Sequence, residues 1–261
     1  MPRSQSLPDS PRGTALVTGG ARRLGAVIAV ALARRGWDVA VHYATSSADA
    51  AKTVATIRAL GRKAVALDAD LADEAATTQL VARVTEALGA PTCLVNNASR
   101  FAADDAASFS YAALAAHMRT NLAAPLVLAR ELHRQLPDDA QGVIVNLLDQ
   151  KLFNPNPDFL SYTLSKAALH EATALLAQAL APKVRVVGIA PGITLPAAGQ
   201  SDASFAKAHA ATLLGRSSTP DDIANAVCFA VESPALTGTT LLIDGGQHLV
   251  PTQRDIMFLA R

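Results

Sequence analysis

Two hydrophobic patterns alternate along the chain, short β-rich apolar runs and longer helical runs rich in alanine and leucine. The short runs are apolar at nearly every position, which is typical of strands whose two faces are both covered by helices. Seven of them are predicted to be strands: Thr14–Val17, Asp38–His42, Lys63–Leu67, Cys93–Asn96, Val143–Leu147, Val184–Ile189 and Thr240–Ile243.

Helical patterns fill most of the intervals between these strands, at about Gly25–Arg35, Ser47–Leu60, Asp73–Leu88, Tyr111–Leu136 and Phe159–Ala181. Repeating βα units with right-handed crossovers predict an α/β fold, a Rossmann-type doubly wound sheet of seven parallel strands with helices on both faces. We expect a single domain at residues 13–261 behind a disordered leader at residues 1–12. Thr194–Leu214 lacks a strand and is predicted to form a loop with short helices that could cover a substrate.

Composition excludes several classes of protein. Of the 261 residues 50% are hydrophobic and 17% are charged, and the net charge is +1, which argues against disorder and against a nucleic-acid partner. Neither a membrane-length apolar run nor a signal peptide is present, so a cytoplasmic protein with no membrane partner is expected. Cys93 and Cys228 are predicted to be buried thiols, and six scattered histidines predict no metal site.

A glycine turn, Thr18–Gly25, follows the first strand directly and opens a helix. Glycines let the backbone approach a pyrophosphate, and a helix N-terminus offers free N–H groups and a positive dipole end. An ordinary strand-to-helix turn is the alternative, but the position after the first strand favours cofactor binding.

The charges around this turn favour NADPH over NADH. Arg22 and Arg23 lie within the turn, and the second strand ends in His42–Ser46 with no acid before Asp49. An NAD site usually places a carboxylate there for the ribose 2′-hydroxyl, whereas arginine, hydroxyl and imidazole groups can hold a 2′-phosphate.

Tyr162 and Lys166 are four residues apart in the helical pattern after the fifth strand, so both can point into one cleft. A lysine cation beside a phenol favours the phenolate and should make the tyrosine a better proton donor at neutral pH. A surface tyrosine and lysine on an amphipathic helix is the alternative interpretation.

Over essentially its whole length the chain resembles the short-chain dehydrogenases/reductases. The shared motifs are the glycine turn, Asn96–Ala98, Asn121, the Tyr162/Lys166 pair, Pro191–Gly192 and Asp244–Gly246. The resemblance implies that Tyr162 is the proton donor, that Lys166 holds the nicotinamide ribose and tunes the tyrosine, and that Asn121 supports a relay water. It implies a cofactor site at Gly19, Arg22, Arg23, Leu24, Gly25, His42, Ser46, Asp70, Leu71, Asn97, Ala98, Ser99, Tyr162, Lys166, Pro191, Gly192 and Ile193.

Two departures from the family pattern are similar to one subgroup, the pteridine reductases and the dihydromonapterin/dihydrofolate reductases. Asp149, thirteen positions before Tyr162 (162 − 149), stands where most members carry a serine, and Arg23 replaces the middle glycine of the turn. His42-Tyr43 and Asn97–Phe101 also match this subgroup. The resemblance therefore implies an NADPH-dependent reductase of dihydropterins or dihydrofolate.

A pterin is a flat polar ring, so aromatic stacking and hydrogen bonds along its edge would hold it. Phe101 is expected to stack on one face of the ring opposite the nicotinamide, with Arg23, Ser99, Asp149 and Tyr162 as the other substrate contacts. Asp149 could bind a ring N–H or feed protons through Tyr162, and Arg23 could hold this carboxylate ionised.

The residues leave some alternatives open. Asp149 could merely cap a turn, and Phe101 could be core packing. At the level of function, a short-chain carbonyl reductase and a non-catalytic NADPH-binding regulator remain the alternatives.

The helical patterns at Tyr111–Leu136 and Phe159–Ala181 are apolar around much of their circumference, so each buries more than one face. One face would cover the sheet and another could meet a second subunit, and the resemblance implies a homotetramer assembled in this way. The tail Asp255–Leu259 is apolar for a chain end, and we expect it to dock on a neighbouring subunit near its active site.

Overall fold

The computed structural model describes residues 11–196 and 200–259, and all seven predicted strands are present. They are β1 (Thr14–Val17), β2 (Asp38–Tyr43), β3 (Ala64–Asp68), β4 (Pro91–Asn96), β5 (Gly142–Leu147), β6 (Val184–Pro191) and β7 (Thr240–Ile243). They form one sheet of order β3-β2-β1-β4-β5-β6-β7 in which every neighbouring pair is parallel. The predicted α/β fold is thus confirmed.

Helices connect the strands: α1 (Arg23–Arg34), α2 (Ser47–Ala59), α3 (Glu74–Leu88), α4 (Tyr111–Met118), α5 (Ala124–Gln135), α6 (Leu160–Leu180), α7 (Asp202–Ala210), α8 (Pro220–Glu232) and α9 (Ile256–Leu259). Short 3₁₀ turns follow β5 at Gln150–Leu152 and β7 at Gln247–Leu249. Thr194–Leu214 contains α7 and no strand among its described residues, while its residues 197–199 lie outside them. Of the predicted leader, residues 1–10 also lie outside the described part of the chain.

Alternate side chains of each strand face opposite layers of helices. In β1, Ala15 and Val17 belong to one buried cluster with residues of α1, α2 and α8, whereas Leu16 belongs to a second cluster with residues of α3 and α5. Because both faces are covered, every residue of β1 is buried, and this explains the continuous apolar runs.

The helical pattern at Tyr111–Leu136 is not one regular helix. A π-helical turn, Arg119–Ala123, separates α4 from α5, and Pro125 stands in the first turn of α5. Proline has no N–H to donate to the carbonyl four residues earlier, so regular α-helical bonding is interrupted at Asn121.

No helix in residues 11–196 and 200–259 has the length and apolar character needed to cross a bilayer. The same residues contain no cluster of three or more His, Cys, Asp and Glu side chains suited to a metal ion. Cys93 and Cys228 are both buried and unpaired, as predicted.

A buried polar chain fixes α6 against the sheet. Asn96 Nδ2 of β4 donates to Asn146 Oδ1 of β5 at 2.8 Å, and Asn146 Nδ2 donates to Thr173 Oγ1 of α6 at 3.0 Å. All three side chains are buried. Because buried polar groups need partners, these two hydrogen bonds set the position of the helix that carries Tyr162 and Lys166.

Replacing Asn146 by leucine should destabilise the fold by about 1–3 kcal/mol, because Asn96 and Thr173 then lose a buried partner. Equilibrium urea unfolding measures the change. Asn225→Leu, at an exposed position of α8, is the matched control and should change stability by less than about 0.5 kcal/mol. Equal stability of the two variants would contradict a structural role for this chain.

Candidate active site

The glycine turn after β1 is hydrogen-bonded to the residues that follow β4. Asn97 Nδ2 donates to the Thr18 and Gly19 carbonyls at 2.9 and 3.2 Å, and Thr18 Oγ1 accepts from the N–H groups of Asn97 and Ala98, both at 3.0 Å. Gly19 has φ 60°, and a Cβ added to Gly25 would lie 2.1 Å from the Gly19 carbonyl oxygen. Larger residues therefore cannot occupy Gly25 without moving the turn.

The N-terminus of α1 offers a site for an anion. Its N-cap, Arg22, makes no side-chain cap hydrogen bond, and the first turn contains no acidic residue. Arg23 has φ 52° at the position where the family carries glycine. Uncapped N–H groups at the positive end of a helix, with two exposed arginines beside them, fit a dinucleotide phosphate.

The buried His42 ring is hydrogen-bonded to the glycine turn. Its Nδ1 accepts from the Gly19 N–H at 3.0 Å, and its Nε2 lies 3.0 Å from the Ala69 carbonyl oxygen, which only an N–H can satisfy. Burial lowers the pKa of His42 below its ordinary value, in keeping with a neutral ring. Both nitrogens are thus used inside the protein, and the structure gives His42 a positioning role instead of a direct phosphate contact.

A cavity of about 360 Å³, the cofactor cavity, lies over this turn. It is lined by Gly19, Ala21, Arg22, Arg23, Leu24, Gly25, His42, Tyr43, Ala44, Thr45, Ser46, Asn97, Ala98 and Ser99. None of these residues is acidic, so the cavity has the charge expected for a 2′-phosphate. Seven predicted cofactor residues do not line it. Five of them line a neighbouring cavity: Tyr162, Lys166, Pro191, Gly192 and Ile193. The other two line neither cavity: Asp70 is exposed and accepts from the Ala72 N–H at 2.9 Å, and Leu71 is buried.

A second cavity of about 390 Å³, the catalytic cavity, shares Arg23, Leu24, Asn97 and Ser99 with the first. It brings together most of the other predicted residues: Phe101, Asp149, Tyr162, Lys166, Pro191, Gly192 and Ile193. They come from the ends of β4, β5 and β6 and from the first turns of α6. Their convergence follows from the parallel sheet, since ligands bind where the carboxyl ends of the strands meet.

Tyr162 and Asp149 form a direct hydrogen-bonded pair. The Tyr162 hydroxyl donates to Asp149 Oδ2 at 2.8 Å, and Asp149 Oδ1 accepts from the Lys151 N–H at 2.8 Å. Asp149 therefore caps the 3₁₀ turn and also contacts the Tyr162 phenol, so a capping role and a role beside Tyr162 are compatible.

The electrostatics of Tyr162 differ from the sequence prediction. Burial, and then the Asp149 carboxylate, raise the pKa of Tyr162 well above its ordinary value. Lys166 lies 6.0 Å from the centre of the phenol ring and donates to the Leu147 carbonyl at 2.7 Å. Burial lowers the pKa of Lys166 to about 8. The predicted lowering of the tyrosine pKa by lysine is wrong for the protein alone, because desolvation and the neighbouring carboxylate outweigh the cation.

The expected pairing of Arg23 with Asp149 is also wrong. The Arg23 guanidinium donates to the Pro196 carbonyl at 2.7 Å. Desolvation in the cavity wall raises the pKa of Asp149 despite the opposing hydrogen bonds from Lys151 and Tyr162. Asp149 is therefore a carboxyl group that takes up a proton more readily than an ordinary aspartate.

Phe101 lies at the mouth of the catalytic cavity with 48% of its surface exposed. Its ring stacks on Phe159 with centroids 4.5 Å apart and meets Tyr162 edge-on at 4.7 Å. The alternative that it is core packing is therefore wrong.

The Asn121 side chain is saturated by protein partners. Its Oδ1 accepts from Ser99 Oγ at 3.3 Å and from the Arg100 N–H at 2.7 Å, while its Nδ2 donates to the Arg100 carbonyl at 3.0 Å and to Ser165 Oγ at 2.9 Å. It does not line the catalytic cavity. The structure thus assigns this side chain to holding the loop of Phe101 against α6, and the expected support of a relay water by Asn121 stays a prediction.

Several residues of the catalytic cavity are absent from the sequence prediction: Leu147, Leu148, Gln150, Lys151, Thr194, Leu195, Gln200, Gln247, Asp255, Ile256 and Met257. The last three belong to the C-terminal tail, whose apolar character was the only signal available. The tail packs on its own chain, where Phe258 stacks with Phe159 at 5.8 Å. These contacts lie within the chain, and the expected docking on a neighbouring subunit stays a prediction.

Comparison with known proteins places this geometry in a family. The short chain dehydrogenase family matches residues 13–206. An uncharacterised oxidoreductase of Mycobacterium tuberculosis is 37% identical over 248 residues, covering 89% of this chain and 90% of the relative. Pteridine reductase 1 of Leishmania tarentolae is 30% identical over 282 residues, covering 90% and 96%.

Among solved structures, FolM alternative dihydrofolate reductase 1 from Brucella canis, complexed with NADP, superimposes with a TM-score of 0.89. It is 38% identical, and the match covers 94% of this chain and 97% of that one. The chain belongs to the short-chain dehydrogenase family, and it is an oxidoreductase.

Gly25→Ala should weaken binding of NADPH, the cofactor expected from the sequence, by about tenfold or more, because the new Cβ displaces the turn. Such overpacking also costs about 1–3 kcal/mol of stability. A fluorescence titration with NADPH measures the affinity. Gly61→Ala is the control: Gly61 lies in an exposed turn with φ 76° and no neighbour within 4 Å, so this variant should lose stability and keep its affinity. Tight NADPH binding by Gly25→Ala would contradict the assignment of this turn.

Proposed function

We propose that the protein is an NADPH-dependent reductase of pteridines that converts a dihydropterin or dihydrofolate to the tetrahydro form. The observation that carries the proposal is the Asp149–Tyr162 hydrogen bond at 2.8 Å in the wall of the catalytic cavity. A carboxylate beside the proton donor disfavours the oxyanion that forms during reduction of a simple carbonyl, whereas it suits a substrate whose ring N–H groups and nitrogen exchange protons.

The choice of NADPH rests on the cofactor cavity. Arg22 and Arg23 flank the uncapped N-terminus of α1, and none of the described residues that line the cavity is acidic. The Brucella relative was crystallised with NADP. When bound, NADPH supplies a hydride to the unsaturated ring carbon.

Tyr162 then donates its hydroxyl proton to the ring nitrogen next to that carbon, so that hydride and proton together complete the reduction. A tyrosinate beside an ionised Asp149 would be two adjacent negative charges. The raised pKa of Asp149 lets this carboxyl carry a proton and pass it to Tyr162 along their hydrogen bond. Lys166 lies in the same buried wall and compensates negative charge on the pair.

The substrate ring is expected to lie against Phe101 at the cavity mouth, with Arg23 and Ser99 near its polar edge. Pteridine reductase 1 of Leishmania tarentolae and the Brucella dihydrofolate reductase are relatives whose names fit such a substrate. A homotetramer, a cytoplasmic location and a single NADP-binding reductase domain at 13–261 stay predictions.

Turnover is tested by following NADPH oxidation with 7,8-dihydrobiopterin, dihydromonapterin and dihydrofolate. At least one should be reduced, and Tyr162→Phe should lower kcat by about 10²–10⁴-fold while NADPH still binds, because only the proton donor is removed. Tyr111→Phe is the matched control, since Tyr111 is 93% exposed. Reduction of a ketone without turnover of any pterin would show a carbonyl reductase instead, and NADPH binding without turnover of either would indicate a regulator.

Phe101→Ala should raise KM for the pterin by up to about tenfold with a smaller change in kcat, because stacking holds the ring without taking part in proton transfer. Steady-state kinetics at saturating NADPH measures both constants. Phe109→Ala is the matched control, since Phe109 is 49% exposed and does not line the catalytic cavity. An unchanged KM would rule out stacking on Phe101.

A further inference from the structure

The C-terminal residues 250–258, here called the C-terminal strap, are fastened to the segment that joins the two catalytic side chains. This catalytic segment, residues 149–162, begins at Asp149 and ends at Tyr162. Asn154 Nδ2 donates to the Val250 carbonyl at 2.7 Å. The first residue of the strap is therefore hydrogen-bonded to the catalytic segment.

The middle of the strap is held by two charged contacts. Arg254 Nε donates to both carboxylate oxygens of Asp158, at 3.0 and 2.9 Å, and the Asp255 N–H donates to Asp158 Oδ2 at 2.7 Å. Lys151 Nζ pairs with Asp255 Oδ2 at 3.0 Å. The first contact is largely exposed on its arginine side, whereas the Lys151 and Asp255 side chains are only 4% and 18% exposed. The buried pair is the stronger constraint, since it is little screened by solvent.

Lys151 connects the strap to the proton donor. Its backbone N–H donates to Asp149 Oδ1, while its ammonium group also contacts Asn156 Oδ1 and lies 5.5 Å from the centre of the Phe159 ring. Phe159 in turn stacks between Phe101 and Phe258. One buried lysine thus links Asp149, the aromatic stack and the C-terminal strap.

We propose that the C-terminal strap is a working part of this chain's own active site, in which the buried Lys151–Asp255 ion pair makes both residues positioning residues for the Asp149–Tyr162 proton donor. The proposal rests on the proposed function, because it assumes that this pair delivers the proton. It goes further than the proposed function because it assigns a role to the C-terminal strap and to an ion pair that does not itself transfer a proton.

The ion pair also has an electrostatic consequence. The titratable side chains lining the catalytic cavity are Arg23, Asp149, Lys151, Tyr162, Lys166 and Asp255. The negative charge of Asp255 raises the pKa of both Asp149 and Tyr162. Reduction needs the protonated donor, so its rate falls as pH rises through the pKa of the pair. Removing the charge of Asp255 lowers that pKa and moves the fall in rate to lower pH.

The test compares Asp255→Asn with Asp255→Glu and with Asp138→Asn. The control removes the acid of an Asp138–Lys183 ion pair of 3.2 Å at an exposed site. We expect Asp255→Asn to lower kcat/KM for the pterin by about tenfold or more, since small displacements of catalytic groups are costly. As the pH is raised, kcat of Asp255→Asn should also begin to fall at a lower pH than in the wild type. This shift should be smaller in Asp255→Glu and absent in Asp138→Asn.

Lys151→Met leaves a buried carboxylate unpaired and could prevent folding, so it is made in the Asp255→Asn background. If the pair acts as one unit, the double variant should lose no more than about twofold beyond Asp255→Asn alone. An Asp255→Asn enzyme with wild-type kcat/KM and an unshifted pH profile would overturn the proposal, and so would a double variant that loses much more than about twofold beyond Asp255→Asn alone.

Hydrogen exchange of the full chain separates this proposal from the proposed function. In Asp255→Asn, amides of residues 254–258 and of residues 151–158 should exchange faster than in the wild type, with or without a pterin that the enzyme reduces. If no pterin is reduced, the proposed function fails while this exchange still tests the strap. Unchanged protection in both segments would refute the strap on its own.

Discussion

Parallel strands all present their carboxyl ends at the same edge of the sheet, and the active site of this protein depends on that constraint. The glycine turn follows β1, the Asn97–Phe101 segment follows β4, Asp149 follows β5, and Pro191–Gly192 lies at the end of β6. The chain order changes direction between β1 and β4, which lie side by side. The crevice opened by this change holds the shared wall of the cofactor and catalytic cavities.

Burial sets the charge states of the groups proposed to be catalytic. Tyr162 and Lys166 are almost fully enclosed, and desolvation moves the tyrosine pKa up and the lysine pKa down, in each case toward the neutral form. Asp149 follows the same rule. Three neighbouring groups that resist charge favour the transfer of protons along existing hydrogen bonds, and the Tyr162–Asp149 bond is the route that we propose.

Features that follow from hydrophobic periodicity or from a motif could be predicted from the sequence. Contacts between residues that only folding brings together could not. The strands and the Tyr162/Lys166 spacing follow from local periodicity, and the glycine turn from its position. Lys151 had no such signal, because its partner Asp255 is more than a hundred residues away. His42 and Asn121 were found, but their roles depend on partners that no local pattern contains.

By itself the sequence determined the α/β fold, the family, and the residue types that meet at the cavity, because strand periodicity and motif spacing are local properties of the chain. The tertiary structure decided the directions of the pKa shifts, the partner of Arg23 and the place of the C-terminal strap. These depend on which side chains are desolvated together, and desolvation is a property of the packed molecule that no single segment carries.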